Sequence, residues 1–161
     1  MSEVQRSISE VQRRNRAVLD AIQIRRDDFY EAILALEQAL AVPAGDHPAA
    51  WAASLRAPVE HLRGVLEAHV FGTEGEGGLF PEIREHAPRL IHAMDRLQAD
   101  HDPLRDAAAA LAASLDAVTS AADVDGVREA GVELIRRLLV HRHRGAELVY
   151  DAYWVDVSAG D

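Results

Sequence analysis

The sequence predicts an all-α protein, and specifically an up-down-up-down antiparallel four-helix bundle. The chain of 161 residues is rich in Ala, Leu, Arg and Glu and has only 5% aromatic residues, a composition that favours helix over strand. Its apolar residues recur at steps of three and four instead of alternating, which indicates amphipathic helices. Turn residues concentrate at positions 42–48, 72–88 and 120–126. Three breaks with short connections predict four long helices, each antiparallel to its neighbours.

The first two predicted helices occupy the N-terminal half of the chain. The first extends from Ser7 to Ala41 and has one apolar face. The second begins near Asp46 or Pro48, and Pro58 either kinks it or marks its later true start. We expect this helix to resume through residues 79–85 after the glycines. The apolar face of the first helix consists of Val11, Val18, Leu19, Ile22, Phe29, Ile33, Leu36 and Leu40.

The other two predicted helices occupy the C-terminal half. The third begins at Pro88 and continues to Leu115, with a bend near Pro103. The fourth extends from Asp125 to Trp154, and the tail at 155–161 has no periodicity, so we expect it at the surface. No repeat, linker or shift in composition divides the chain. The sequence therefore predicts a single domain over residues 1–161.

Composition argues against several classes of function. The formal net charge is −10 and all 17 basic residues are arginine, so we expect no binding to nucleic acid or to anionic membranes. The absence of lysine excludes Schiff-base and P-loop chemistry, and the absence of cysteine excludes thiolate sites. The serines lack the glycine elbow of a hydrolase. Because no apolar run has the length of a signal or membrane segment, we expect a cytoplasmic protein.

Three of the eight histidines fall on apolar helix faces. At about 100° per residue, His101 lies within about 40° of its apolar neighbours on the third helix, and His69 and His141 lie within about 60° of theirs. We expect these three in the core. His143 shares a face with Glu147 but points away from the stripe, which predicts a solvated pair. The remaining histidines are expected at the surface or at helix ends: His47, His61, His86 and His92.

The three core histidines are also predicted to lie at one level of the bundle. His101 is about 20 Å and His69 about 24 Å from the turn at Pro88, at 1.5 Å per residue. His101 and His141 are about 28 and 24 Å from the turn at 120–126. Neutral imidazole is costly to bury without a partner, and converging rings commonly form metal sites in bundles. We therefore predict metal ligation, with a hydrogen-bonded network of histidines and arginines as the alternative.

Three segments also carry a recognisable pattern. They are HVFGTE at 69–74 followed by GLFPEI at 78–83, Asp100-His101 followed by Leu104, and HRHRGAELVYDAY at 141–153. Together, from about Arg25 to Asp156, they resemble the hemerythrin-like family, the HHE cation-binding domains. The resemblance implies a four-helix bundle that binds non-haem iron, in a diiron or mononuclear site. Zinc is the alternative metal, because its ligand chemistry suits three histidines and one carboxylate equally well. It also implies a role in dioxygen, nitric oxide or peroxide binding, in iron handling or in sensing.

The chain departs from that family where second ligands are expected. The positions four after the three histidines are Thr73, Arg105 and Gly145. The first helix has no histidine at the matching level. The residues it offers there are Ile22, Gln23, Arg26, Asp27 and Tyr30. Glu74 reaches the layer if the helix bulges at Gly72 or Gly75. We therefore predict a metal-binding protein rather than an enzyme, with an open position for a small diatomic or peroxide ligand. The predicted ligands are His69, Glu74, His101 and His141.

A metal-free bundle is the competing hypothesis. Arg26 and Arg105 fall within apolar stripes, and a buried arginine needs a carboxylate unless it reaches solvent at the bundle end. The carboxylates considered are Glu74, Glu37 and Asp27. If these arginines displace the charge of a metal, the protein is a protein-interaction or anion-sensing module. The sequence leaves the natural ligand and homo-oligomerisation open.

Overall fold

The computed structural model of this chain is all-helical. It describes residues 3–153, and between residues 3 and 24 it describes side chains only at positions 5, 6, 9, 10, 13, 16, 20 and 22. Across this described part the chain forms six α-helices and two 3₁₀ turns and contains no strand. The helices are α1 (Glu3–Ala41), α2 (Pro48–Ser54), α3 (Arg56–Glu74), α4 (Leu79–His86), α5 (Ile91–Ser114) and α6 (Ala121–Tyr153). The 3₁₀ turns Pro88–Leu90 and Leu115–Ala117 flank α5.

The second predicted helix is divided at two places. α2 ends at Ser54, and α3 begins only at Arg56, so Pro58 lies in the first turn of α3, where its missing N–H leaves no hydrogen bond unmade. Pro58 thus marks a later start, one of the two predicted options. After α3 the chain turns at 75–78, and Gly77 has a φ of 71°, which glycine adopts without strain. α4 then resumes at Leu79, as predicted.

The last predicted helix begins earlier than expected. α6 starts at Ala121 rather than Asp125, because Ser120 and Asp123 cap each other. The Asp123 carboxylate accepts hydrogen bonds from the backbone N–H groups of Thr119 and Ser120, both at 2.9 Å, and the Ser120 hydroxyl accepts one from the Asp123 N–H at 3.2 Å. This is a capping box with aspartate at the third position. The prediction treated these residues as part of the break, and that start was wrong.

Four long helices form the bundle. α1 packs against α3 and α6, and α5 packs against the same two helices, so each long helix has two long neighbours. The predicted all-α bundle is confirmed at this level. α5 continues through Pro103 without interruption. Among the described residues, no helix has a stretch that is both long enough and apolar enough to cross a membrane.

The core divides into two apolar clusters. The large apolar cluster contains residues from all four long helices, including Leu36, Leu62, Leu104 and Leu138. The small apolar cluster is formed mainly by α4 and α5 and consists of Phe80, Ile83, Ala87, Met94, Leu97 and Leu148. On α5, His101 lies between the small-cluster residue Leu97 and the large-cluster residue Leu104, and on α6 His141 similarly lies between Leu138 and Leu148. A polar layer therefore separates the clusters.

Part of the predicted apolar face of α1 lies outside the described side chains. This applies to Val11, Val18 and Leu19, and Trp154 and the tail at 155–161 lie outside the described residues altogether. The C-terminal part of the face is described and behaves as predicted. Phe29, Ile33, Leu36 and Leu40 are all buried.

Candidate metal centre

Three histidines from three helices meet in the core. His69 on α3, His101 on α5 and His141 on α6 each offer a ring nitrogen, and these nitrogens lie within 4.8 Å of one another. We call these three residues the histidine layer. His101 and His141 are 1% and 3% exposed, and they are the only buried polar or charged residues in the described part of the chain. The predicted convergence of these side chains is thus present in the structure.

Aromatic rings hold the histidine layer on two sides. The His69 ring stacks on Phe29 of α1 with centroids 5.1 Å apart, and the His101 ring stacks on Phe80 of α4 at 5.9 Å. Within the layer, the three ring centroids lie 5.0–5.2 Å apart, and the rings meet edge to face. Stacking fixes the planes of the His69 and His101 rings, and so fixes the directions in which their nitrogens point.

Two carboxylates engage the outer nitrogens of this layer. His101 Nδ1 donates a hydrogen bond to Glu74 Oε1, and His141 Nδ1 donates to Asp100 Oδ2 at 3.2 Å. Such donation fixes the proton on Nδ1, so in the neutral ring the lone pair lies on Nε2. The Nε2 atoms of His69 and His141 are 3.1 Å apart. His101 Nε2 is buried and has no hydrogen-bond partner among the described residues.

Two histidines of the layer, His69 and His141, are kept uncharged. Burial, and to a smaller extent charge repulsion from His141, His101 and Arg25, lowers the pKa of His69 from 6.5 to about 3. Burial also lowers the pKa of His141, although the hydrogen bond to Asp100 opposes this shift. At neutral pH, His69 and His141 are therefore neutral imidazoles, which is the form that binds a metal ion.

Glu74 reaches the layer without the predicted helix bulge. α3 is regular through Gly72 and ends at Glu74, with Gly75 as its C-cap. The Glu74 carboxylate lies against His101 Nδ1, with Gln98 Nε2 at 3.4 Å from its second oxygen. The group of mutually close ligand atoms contains the three histidines and not Glu74. The structure therefore places the Glu74 carboxylate on the outer nitrogen of His101 and not among the three converging histidine nitrogens.

Sequence reasoning missed the second carboxylate. Asp100 is half-buried and lies beside His141 although it belongs to α5. The available signal was its place immediately before His101, which puts it about 100° round the helix from that histidine; this angle alone does not say which neighbouring helix it faces. On α1, Phe29 contacts the layer by stacking on His69, and it was not among the residues named for that layer, which were Ile22, Gln23, Arg26, Asp27 and Tyr30.

The arginines of the competing hypothesis have different surroundings. Arg105 is not buried: its side chain is 34% exposed and binds both oxygens of Glu67, at 2.9 and 2.7 Å. A pair of Arg105 with one of the three carboxylates considered is therefore wrong, and the alternative, a side chain that reaches solvent, agrees with the structure. Arg26 is half-buried, and its Nε is buried without a partner in the described structure.

The remaining histidines are exposed, as predicted. His47, His61, His86 and His92 all lie at the surface. His143 is also exposed and lies 3.4 Å from Glu147 on the solvent side of α6, which confirms the solvated pair.

Comparison with known proteins adds no further constraint on this site. The chain was compared with protein-family models, with curated proteins and with solved structures, and it matches none of them.

Proposed function

We propose that this protein binds one divalent transition-metal ion through the Nε2 atoms of His69, His101 and His141. The observation that carries this proposal is the state of His101. Its ring is buried, its Nδ1 is bonded to Glu74, and its Nε2 has no partner in the described structure. An unpaired buried polar atom costs about 1–3 kcal/mol. A metal ion would satisfy it.

The donor set fits such an ion. Two nitrogens held at about 2.0–2.1 Å from a tetrahedral zinc lie about 3.3 Å apart, close to the 3.1 Å between Nε2 of His69 and of His141. Metal-binding histidines usually donate their other N–H to a carboxylate, and Glu74 and Asp100 occupy these positions. In this proposal Glu74 orients a ligand and is not itself one, which revises its predicted role.

A single ion fits the surroundings better than a pair. A second ion would need further carboxylate or histidine ligands, and no other described residue belongs to the group of close ligand atoms. Zinc and iron both accept imidazole, so the ligands do not choose between them. With three protein ligands, the ion would offer an open coordination position to a small molecule such as dioxygen, nitric oxide or peroxide.

The proposal includes the relationship to hemerythrin-like proteins and the up-down-up-down order of the helices. The supporting observation is that histidines equally distant from a shared turn meet in space, as antiparallel neighbours require. The Leu-Phe-Pro segment also contributes, because its Phe80 stacks on His101. A divergent member of that family would retain the bundle while losing the ligands of the second metal.

Metal content and a matched pair of variants test this proposal. Protein produced with iron and zinc present, then desalted, should hold about one equivalent of metal by elemental analysis. His101→Leu should abolish binding, whereas His92→Leu, an exposed histidine of the same helix, should leave it intact. An optical spectrum distinguishes iron from zinc. Well under one equivalent in the native protein would contradict the proposal.

Thermal melts with and without a strong chelator separate ligation from packing. Metal should stabilise the native protein by about 4 kcal/mol when the free ion is a thousandfold above Kd, and His101→Leu should lose that increment. In chelator, His101→Leu should be at least as stable as the native chain, because a polar ring leaves an apolar environment. Equal destabilisation in both buffers would show that His101 belongs to a hydrogen-bonded core instead.

A further inference from the structure

A small cavity lies directly beside the histidine layer. It has a volume of about 70 Å³ and is lined by His69, His141 and residues of α1 and α6. Because a water molecule needs about 10–15 Å³ by this kind of measure, the cavity has room for a small polyatomic ligand. Most of its other walls are apolar, including Phe29 and Leu148.

The charged residues that line this cavity all have one sign. Arg25 and Arg26 of α1 and Arg142 of α6 contribute to its wall, and no aspartate or glutamate does so among the described residues. This is unexpected in a chain with a formal net charge of −10. Glu74 and Asp100 engage the Nδ1 atoms of His101 and His141 and do not line the cavity. Three arginines therefore contribute to its wall, and no carboxylate among the described residues does so.

Two of these arginines have unused donors. The Nε atoms of Arg26 and Arg142 are buried and have no hydrogen-bond partner in the described structure. The Arg142 guanidinium is held over the Tyr30 ring at 4.8 Å, and the Arg25 side chain packs tightly over Gly72, where an added Cβ would clash with it. These contacts fix the positions of the groups but leave their N–H donors to a ligand.

We infer that this cavity binds a planar monovalent oxyanion of the nitrate, nitrite or formate class, held by Arg26 and Arg142 with Arg25 at the rim. A guanidinium group matches the planar oxygen pair of such an ion. The apolar walls penalise a doubly charged ion, whose dehydration costs far more. This site needs no metal ion, so it is independent of the proposed function.

Arginine side-chain NMR provides a direct test on the full-length chain. Nitrate is titrated into chelator-treated protein and into zinc-loaded protein, and the ¹H–¹⁵N signals of the Nε–Hε groups are followed. We expect saturable shifts of two signals, which Arg26→Gln and Arg142→Gln assign by their loss. Each variant should weaken nitrate binding about tenfold or more, as expected for the loss of a charge-assisted hydrogen bond. Arg136→Gln, an exposed arginine on α6, should bind as the native chain does.

A variant that fills the cavity tests the location without removing charge. Gly145 lines the cavity, and a Cβ added there would meet no atom within 4 Å. Gly145→Leu should therefore fold, gain helix propensity and abolish nitrate binding. Gly126→Leu is the control, because Gly126 lies on the same helix, is equally open and lies outside this cavity.

The outcomes separate this site from the metal centre. Nitrate binding in chelated protein, lost in Gly145→Leu and in both arginine variants, supports the inference whether or not metal is found. The inference is overturned by the absence of saturable shifts, by unchanged binding in Gly145→Leu, or by nitrate binding that requires zinc. Sulfate bound as tightly as nitrate would overturn the assignment to a monovalent ion.

Discussion

The large apolar cluster and the histidine layer lie next to each other in one core and differ in what they do for the fold. In the large apolar cluster, Leu36, Leu62 and Leu138 are completely buried and carry no polar side-chain atom that needs a partner. In the histidine layer, His101 is buried almost as deeply. The two ring nitrogens of His101 nevertheless need hydrogen-bond partners, and Nε2 has none in the described structure.

This difference indicates that the histidine layer was not retained for stability. Burial of leucine stabilises a fold by about 1.5–3 kcal/mol per side chain, whereas burial of neutral imidazole costs free energy unless each nitrogen is paired. Leucine at these positions would join the two apolar clusters into one. A costly layer between two apolar clusters is typical of a binding site, where some stability is lost in exchange for function.

The largest effect is expected in the large apolar cluster. Leu138→Ala should lower the free energy of unfolding by about 3–5 kcal/mol, because it leaves a cavity among fully buried side chains. Leu139→Ala, the adjacent residue on α6 with 39% exposure, should cost about 1 kcal/mol or less. Urea unfolding of chelator-treated proteins gives both values. A cost for Leu138→Ala as small as that for Leu139→Ala would show that this cluster does not dominate stability.

The next effect is the response of the histidine layer to acid. Because the pKa of His69 falls from 6.5 to about 3 on folding, the unfolded chain binds a proton between these pH values and the folded chain does not. Stability is therefore lost as the pH falls below 6.5, and the His69 contribution reaches about 3 kcal/mol at pH 4. The contribution of His69 should be absent in His69→Gln. We expect urea unfolding of the chelated native chain to depend on pH more steeply than that of this variant between pH 5 and 6.

The positions of the histidines could be predicted because helix geometry is regular. Each successive residue of a helix is rotated by about 100° and advanced by 1.5 Å, so the residue number gives both the helix face and the height along the bundle. This sufficed to separate His69, His101 and His141 from five exposed histidines. The all-α bundle followed from the same periodicity. The start of α6 was misplaced because Ser120 and Asp123 form a local cap, and a cap overrides the turn signals around it.

The partners of the histidines could not be predicted in the same way. Which helix faces Asp100 depends on the rotation of α5 against α6, and periodicity of a single helix does not contain that angle. Glu74 was expected to need a bulge, yet its side chain reaches His101 from the end of a regular α3. For Arg105 the apolar stripe left a buried and a solvent-reaching side chain equally open, and the structure shows that the side chain reaches the surface and pairs with Glu67.

A smaller effect is expected from the carboxylates behind the layer. Asp100→Asn keeps the size of the side chain but removes the acceptor charge that fixes the proton on His141 Nδ1. If His141 is a ligand, metal affinity should fall about 10–100-fold, as for other residues that orient a ligand. Competition with a chromogenic chelator measures this. Asp102→Asn, an exposed aspartate on the same helix, should not change the affinity, and an equal loss in both variants would point to a general effect of net charge.

The smallest effect tests whether a histidine matters by its position or merely by its presence on α6. His143 and His141 are two residues apart, but His143 is 76% exposed and, within residues 3–153, has only Glu147 as an ion-pair partner. Surface pairs of this kind contribute about 0–1 kcal/mol. His143→Ala should therefore change the free energy of unfolding by less than about 0.5 kcal/mol and leave metal content unchanged. The same substitution at His141 should remove the metal and leave a hole in the core. If His143→Ala lowers metal content instead, the ion is held on the outer face of α6, and the comparison between apolar cluster and histidine layer loses its functional meaning.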